Sequence, residues 1–344
     1  MLKQMTYYPV VKWKTGERIA LQQLSEEQKN KILPIAEVVD SDLSMSSFLD
    51  VCASFPNPFI VDTIFVDDER TMLLQMLNQA MSQNQQLIPL LYVSDIETPD
   101  SEIIAKAPNL AILVPVPADF EGPSYESIFE TILEMGKPPN TITIILDLGM
   151  ITDRGKANTS YDSLKSLLAT HTARLSQFQK VVIRCSSFPT DLSSVQSGDT
   201  VSFTRYDIRM FSQLINNSVG KPYLHQLAFS DYGVTKFTET DIDFSLLQYG
   251  ILPKIKYTTS DSYFVLKGKK DHKKGEWILS YKDLSRMIVT ADYYYGQNFS
   301  FGDQQIFDIS QPNNKIGNST NWVTFCANHH IAVVVDELSN LVYP

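Results

Sequence analysis

Eight short runs of apolar residues recur along the first two thirds of the chain, and polar residues do not alternate with them. Continuous runs of this kind are typical of parallel strands that are buried on both faces of a sheet. The starts of successive runs lie 23 to 45 residues apart, which leaves room for one strand and one helix per unit. The predicted strands cover residues 8–13, 33–39, 59–65, 87–93, 110–116, 141–148, 180–186 and 225–231.

Eight such units in one chain predict an α/β fold, a TIM-like (β/α)8 barrel over residues 1–245. An open doubly wound sheet is the alternative, and it usually carries a glycine-rich phosphate loop after its first strand. The chain contains neither GxGxxG nor GxxxxGK[ST], which favours the barrel. The last gap is the widest and has room for an extra strand at 200–203 or an extra helix at 204–217. Amphipathic segments between the strands predict helices over residues 18–32, 68–84, 124–135 and 161–178.

The pattern changes after about residue 245, and residues 246–344 predict an α+β extension packed on the barrel. Residues 252–258 and 262–267 alternate like a β-hairpin. Residues 267–276 (KGKKDHKKGE) predict an exposed basic loop, and residues 278–295 predict a helix. This loop could contact phosphate or nucleic acid, or it could simply be a solvated surface.

A histidine pair interrupts the apolar segment 322–335, which we expect to form two short strands or one bent strand. Adjacent side chains on a strand point to opposite faces, so one of His329 and His330 is expected at or near the barrel mouth. The alternative is a structural histidine that bonds to a backbone carbonyl in the core.

Composition excludes several classes of protein. Hydrophobic residues make up 43% of the chain and charged residues 20%, so the chain can bury a full core. No apolar run approaches the length of a transmembrane helix, and the first residues have no apolar signal-peptide region. The three cysteines are too widely spaced for a metal knuckle or a secreted disulfide framework. We expect a cytoplasmic protein without membrane contact, and its net charge of −10 disfavours general polyanion binding.

Charged residues lie at the ends of the predicted strands, where a barrel has its catalytic mouth. Separate burial of such charges would cost several kcal/mol each, so we expect them to share one polar cleft. The catalytic candidates are Glu37, Asp62, Asp147, Asp231, His329 and His330. The substrate-binding candidates are Lys12, Lys14, Tyr92, Arg184, Tyr232 and Lys267.

Phosphate chemistry fits this set of side chains. Lys12 and Arg184 would bind a phosphate, and Glu37, Asp62 and Asp147 would hold Mg²⁺ or Mn²⁺ or act as a general base. Two alternatives remain: a charge-paired barrel core for the set as a whole, and plain solvent exposure for Lys14. The chain has no HExxH motif and no GxSxG motif, which disfavours a zinc site and a serine nucleophile elbow.

A set of short segments carries a family resemblance: residues 8–17, 20–21, 33–37, 147–149, 187–189, 205–207, 229–233, 255–258 and 299–303, Trp322 and residues 328–330. They lie in family order from residue 8 to residue 331, and together they resemble the phage T4 "beta protein" family. The resemblance implies an association with phage biology or antiphage defence, and it implies no catalytic mechanism. Trp13 stands where the family commonly has a small residue, and we expect it to narrow the mouth.

Two classes of function follow. The first is an enzyme, a metal-assisted phosphoester or nucleotide hydrolase whose barrel mouth holds a phosphate-bearing ligand or the end of a nucleic acid. The second is a binding module without catalysis, which would recognise a phage or host protein, nucleic acid or a small nucleotide signal. In a related form of the second class, the chain is an accessory subunit whose partner, encoded in the same operon, carries a nuclease.

Overall fold

The computed structural model describes residues 7–117, 122–235, 252–271 and 273–341, and thirteen strands lie in these ranges. In chain order they are β1 (Tyr7–Lys12), β2 (Ile35–Glu37), β3 (Phe59–Asp62), β4 (Leu87–Tyr92), β5 (Leu110–Pro115), β6 (Ile142–Met150), β7 (Lys180–Ser186), β8 (Thr200–Thr204), β9 (Leu227–Asp231), β10 (Lys254–Thr258), β11 (Ser262–Lys267), β12 (Lys269–Asp271) and β13 (Glu276–Leu279).

Thirteen α-helices lie in the same described ranges, and short 3-10 turns cover Pro139–Thr141 and Leu224–Gln226. The helices are α1 (Thr15–Gln22), α2 (Glu26–Asn30), α3 (Met45–Ala53), α4 (Glu69–Ser82), α5 (Val93–Glu97), α6 (Ser101–Lys106), α7 (Tyr125–Glu134), α8 (Arg154–Thr170), α9 (Thr172–Leu175), α10 (Tyr206–Asn217), α11 (Tyr281–Val289), α12 (Phe301–Ser310) and α13 (Ser319–Asn340). None of them is long and apolar enough to cross a bilayer.

Eight parallel strands close a barrel in the order β1-β2-β3-β4-β5-β6-β7-β9, which confirms the predicted TIM-like fold. All eight predicted strands are present, and their bounds differ from the prediction by a few residues. The predicted helix over residues 18–32 is instead two helices, because Ser25 caps α2. The Ser25 hydroxyl accepts from the backbone N–H of Gln28 at 3.2 Å.

The extra strand predicted near residue 200 is β8, and it lies outside the barrel. It pairs antiparallel with β11, which in turn pairs with β10. A strand that lies between two barrel strands in sequence therefore belongs to the same sheet as two strands of the C-terminal extension. The predicted domain boundary at residues 245 and 246 lies outside the described residues. The prediction of an exposed loop over residues 267–276 is wrong in part, since β12 and β13 form a two-stranded ribbon there. The helix predicted over residues 278–295 is α11, which is shorter.

The prediction of strands over residues 322–335 is wrong, because this segment lies within the 22-residue helix α13. The helix packs against α1, α12 and β10, and residues 324–335 are all buried. A helix that is buried on every side has apolar or hydrogen-bonded residues on all of its faces. Its sequence therefore lacks the 3.6-residue alternation of apolar and polar positions by which an amphipathic helix is recognised. Gly302 of α12 permits the close approach, because a Cβ there would collide with the carbonyl oxygen of Phe325.

Candidate functional site at the carboxyl end of the barrel

Side chains from seven barrel strands or their ends meet at the carboxyl end of the barrel. The register places Lys12 beside Glu37 and Glu37 beside Asp62, and it places Asp147 beside Arg184. Residues two positions earlier on these strands form the inner core, so the alternation of side chains directs all five inward. The residues brought together are Lys12, Glu37, Asp62, Tyr92, Asp147, Arg184 and Tyr232.

Arg184 is the central cation of this mouth, with 4% of its surface exposed. Its Nη2 donates to the Asp147 carboxylate at 2.6 Å, and the guanidinium lies 5.1 Å from the centre of the Tyr232 ring. Nε and Nη1 have no hydrogen-bond acceptor in the described part of the chain. Buried donors without an acceptor are rare and costly, so these groups indicate a place for a ligand atom.

Asp62 is held by a tyrosine hydroxyl. Tyr92 Oη donates to one carboxylate oxygen of Asp62 at 2.8 Å, and the backbone N–H of Ile64 donates to the other at 3.1 Å. Burial nevertheless raises the pKa of Asp62 above its usual value. The carboxyl is therefore fixed in position, and its ionised form is disfavoured.

Glu37 titrates near neutral pH. Burial raises its pKa to about 7, and the neighbouring charge of Asp62 adds to the shift while Arg184 and Lys12 oppose it. A carboxyl group with a pKa near the operating pH can both donate and accept a proton. Among the mouth residues predicted from the sequence, Glu37 is thus best suited to general acid–base work.

Glu17 also lies near the mouth, and it was not among the residues predicted from the sequence. It lies in the first turn of α1 and is 4% exposed, and burial raises its pKa to about 7. The charges of Glu37 and Lys12 also act on it. Its signal was its position only five residues after the end of β1, at the end of the barrel where barrel enzymes have their site residues.

Lys14 and Lys267 differ from the other predicted binding residues. Lys14 precedes α1 and is exposed. Lys267 lies on β11, in the sheet outside the barrel, and its ammonium donates to the carbonyl of Val195 at 2.7 Å. The expectation that Trp13 narrows the mouth is wrong, because Trp13 is buried on the outer face of the barrel against Phe48, with ring centres 4.5 Å apart.

Asp231 is not in the mouth, so its predicted position is wrong. It follows inward-facing Ser230 on β9, and one residue of alternation turns it outward. It accepts from Tyr7 Oη at 2.7 Å and lies 3.0 Å from His330 Nε2. Asp231 is completely buried between the barrel and α13.

Neither histidine of the pair enters the mouth, so the expectation of a histidine there is wrong. His330 contacts Asp231 and the Thr258 hydroxyl on the outer side of the barrel. His329 Nδ1 lies 2.7 Å from an Asp303 oxygen, and its Nε2 lies 2.8 Å from the Thr258 carbonyl. Both residues are 0% exposed, because neighbours on an enclosed helix can both be buried. The His330 contact joins the extension to the barrel, whereas the His329 contacts lie within the extension, and neither ring is placed for chemistry at the mouth.

Metal binding was predicted from the carboxylates of the mouth. Across residues 7–117, 122–235, 252–271 and 273–341, no three His, Cys, Asp or Glu side chains are grouped so that they could hold a metal ion. The mouth carboxyls are instead bonded to Arg184 and Tyr92 or lie close to Lys12. The geometry of the described residues gives the Mg²⁺ or Mn²⁺ prediction no support.

Glu37→Gln is expected to flatten the pH dependence of stability. The folded pKa of about 7 exceeds the usual 4.5, so the folded chain binds this proton more tightly than the unfolded chain. The free energy of unfolding therefore falls as the pH rises from 4.5 to about 7, by up to about 1.4 kcal/mol per pH unit. Urea denaturation between pH 5 and pH 8 measures the slope. Glu134→Gln, at an exposed position of α7, is the control, and equal slopes for wild type and Glu37→Gln would contradict the account.

The sequence was compared with family models and with curated proteins. The family model described as "Beta protein" matches residues 7–336, which is nearly the whole chain. No curated protein matches the sequence. The match spans the barrel and the C-terminal extension together, so the chain belongs to the Beta protein family.

Proposed function

We propose that this member of the Beta protein family binds a small phosphate-bearing ligand at the carboxyl end of its barrel. Arg184 is the anchor for the phosphate, and Lys12 supplies a second positive charge. Glu37 transfers a proton to or from the bound ligand, which makes hydrolysis of a phosphoester or a nucleotide the reaction class that fits best. Tyr92 and Asp147 position the charged groups.

One observation carries this proposal: Arg184 is buried at the mouth with two nitrogens that lack an acceptor in the described ranges. Asp147 holds the guanidinium through Nη2 alone. Charge-assisted N–H bonds to phosphate oxygens would satisfy the remaining donors.

Protonation of the carboxyls makes the mouth compatible with an anion. Burial raises the pKa of Glu37 and of Glu17 to about 7, and both face the charges of the mouth. When these two groups are protonated, less negative charge opposes Lys12 and Arg184, and the carboxylate bonded to Arg184 is that of Asp147. The affinity for an anion should therefore increase as the pH falls.

Isothermal titration calorimetry of the full chain with inorganic phosphate, AMP and sulfate tests the proposal. We expect AMP and phosphate to bind at a single site. Sulfate keeps its charge between pH 6 and pH 8, so its affinity should be higher at pH 6, by up to about 10-fold for each carboxyl that must take up a proton. No binding of any of the three anions would contradict the proposed ligand class. Binding without turnover of phosphoesters would favour the alternative, a binding module.

The association with phage infection or antiphage defence, which the family resemblance implies, is a separate prediction. Expression of the chain in a bacterial host should change the efficiency of plating of at least one phage, and Arg184→Lys should remove the change. Plating assays against a phage panel measure this. If wild type and Arg184→Lys give equal plating on every phage, the mouth has no role in such an association.

A further inference from the structure

A basic ribbon projects from the C-terminal extension and plays no part in the mouth. The name "basic ribbon" here means β12 and β13 with the turn between them. It carries Lys269, Lys270, Lys273 and Lys274 within six positions of a chain whose net charge is −10. The backbone N–H groups of Lys273 and Lys274 donate to the Asp271 carboxylate at 2.9 and 3.3 Å, so this acidic group is occupied in shaping the turn.

The register of the ribbon segregates its charges between two faces. Lys270 pairs with Trp277, and the next pair along the ribbon is Asp271 with Glu276. Successive pairs point to opposite faces of a two-stranded ribbon. Both carboxylates of the ribbon therefore lie on one face, and the other face presents a lysine beside an indole ring.

Trp277 is exposed where a tryptophan would usually be covered. It keeps 43% of its surface accessible, and Ile278 beside it keeps 53%. The ammonium of Lys270 lies 5.3 Å from the centre of the Trp277 ring, so the ring is held beside a positive charge. An aromatic plane among lysines is the combination that stacks bases while neutralising phosphates.

We infer that the basic ribbon binds single-stranded nucleic acid, with Trp277 stacking on a base and Lys270, Lys273 and Lys274 contacting the phosphates. An anionic membrane is the other surface that lysine and tryptophan fit. Membrane affinity depends on the apolar area that is buried, and the ribbon offers only Trp277 and Ile278 for this, so the observations favour the nucleic acid. This inference does not depend on the function proposed for the mouth.

Fluorescence anisotropy of a labelled 20-nucleotide oligothymidylate, titrated with the full chain, tests the inference. We expect Trp277→Ala to weaken binding on the order of 10-fold, because stacking on one aromatic ring contributes about that much. The double variant K273E/K274E and the triple variant K270E/K273E/K274E should reduce binding further. Their slopes of log affinity against log salt should be shallower by about 0.7 for each phosphate contact removed.

Lys156→Glu with Lys165→Glu on α8 is the charge-reversal control for the double variant K273E/K274E, since both α8 lysines are exposed on a barrel helix. It should bind the oligonucleotide like wild type, and Trp277→Phe should retain most of the affinity. Thermal melts check that every variant folds. Failure of the oligonucleotide to bind would overturn the inference, as would equal loss in the α8 control. Tighter binding of the wild type to phosphatidylserine vesicles than to the oligonucleotide would also overturn it, in favour of a membrane surface.

Discussion

Asp303→Ala is expected to lower the free energy of unfolding by about 3–5 kcal/mol, because three buried hydrogen-bonding partners would each lose an acceptor at about 1–3 kcal/mol. Asp303 is completely buried on α12 and lies 2.7 Å from His329 Nδ1. Its other oxygen accepts from Tyr257 Oη at 2.7 Å, and the Ser300 hydroxyl donates to the carboxylate at 2.6 Å. Alanine would leave the imidazole and both hydroxyls without this partner in a site closed to water.

Urea denaturation at pH 7 measures this loss, with Asp292→Ala as a control at an exposed aspartate nearby. The control should differ from wild type by less than about 0.5 kcal/mol. If Asp303→Ala is no less stable than Asp292→Ala, the His329–Asp303 contact does not stabilise the C-terminal extension. If both variants lose the same free energy of unfolding, the conclusion is the same.

Arg184→Lys is expected to weaken the binding of the anion at the mouth by about 10- to 100-fold, since each charge-assisted bond contributes about 1.5–3 kcal/mol. Lysine keeps one positive charge opposite Asp147 but loses the Nε and Nη1 donors. Calorimetric titration with AMP measures the change. Stability should fall much less than in Asp303→Ala, because the pairing with Asp147 is partly retained.

Arg174→Lys is the control for this substitution. Arg174 lies at the surface and pairs with Glu126 and Glu130, so its replacement should leave the affinity for AMP unchanged. An equal affinity for AMP in wild type and Arg184→Lys would remove Arg184 from the binding site. A parallel loss in Arg174→Lys would point to a general charge effect instead.

The barrel could be predicted because the strand signal is local. Runs such as Leu110–Pro115 are apolar on both faces, as buried parallel strands must be, and their spacing implies the crossover helices. The position of five charged residues at the mouth could also be predicted, because residues at the carboxyl ends of barrel strands face the site. The helix α13 could not be recognised, because it is enclosed by α1, α12 and β10, and only the tertiary structure shows that enclosure.

The positions of Asp231 and Glu17 depend on details that a single sequence does not supply. Asp231 stands one residue from an inward position, and the register of β9 against β1 decides which side it faces. Glu17 is buried among groups that are distant in the sequence, since it hydrogen-bonds to Thr235 and lies near the charges of Glu37 and Lys256. Strand-end residues are thus predictable as a set, whereas the face of a particular residue requires the register.

A crystal structure of the full chain grown with AMP tests the central claim most directly. The account predicts that a phosphate oxygen lies within hydrogen-bond distance of Arg184 Nε or Nη1, with the Asp147 pairing at Nη2 retained. Two results would contradict the claim. The nucleotide could bind away from the carboxyl end of the barrel, or Nε and Nη1 could prove to donate to protein oxygens, which would make Arg184 a structural residue of a charge-paired core.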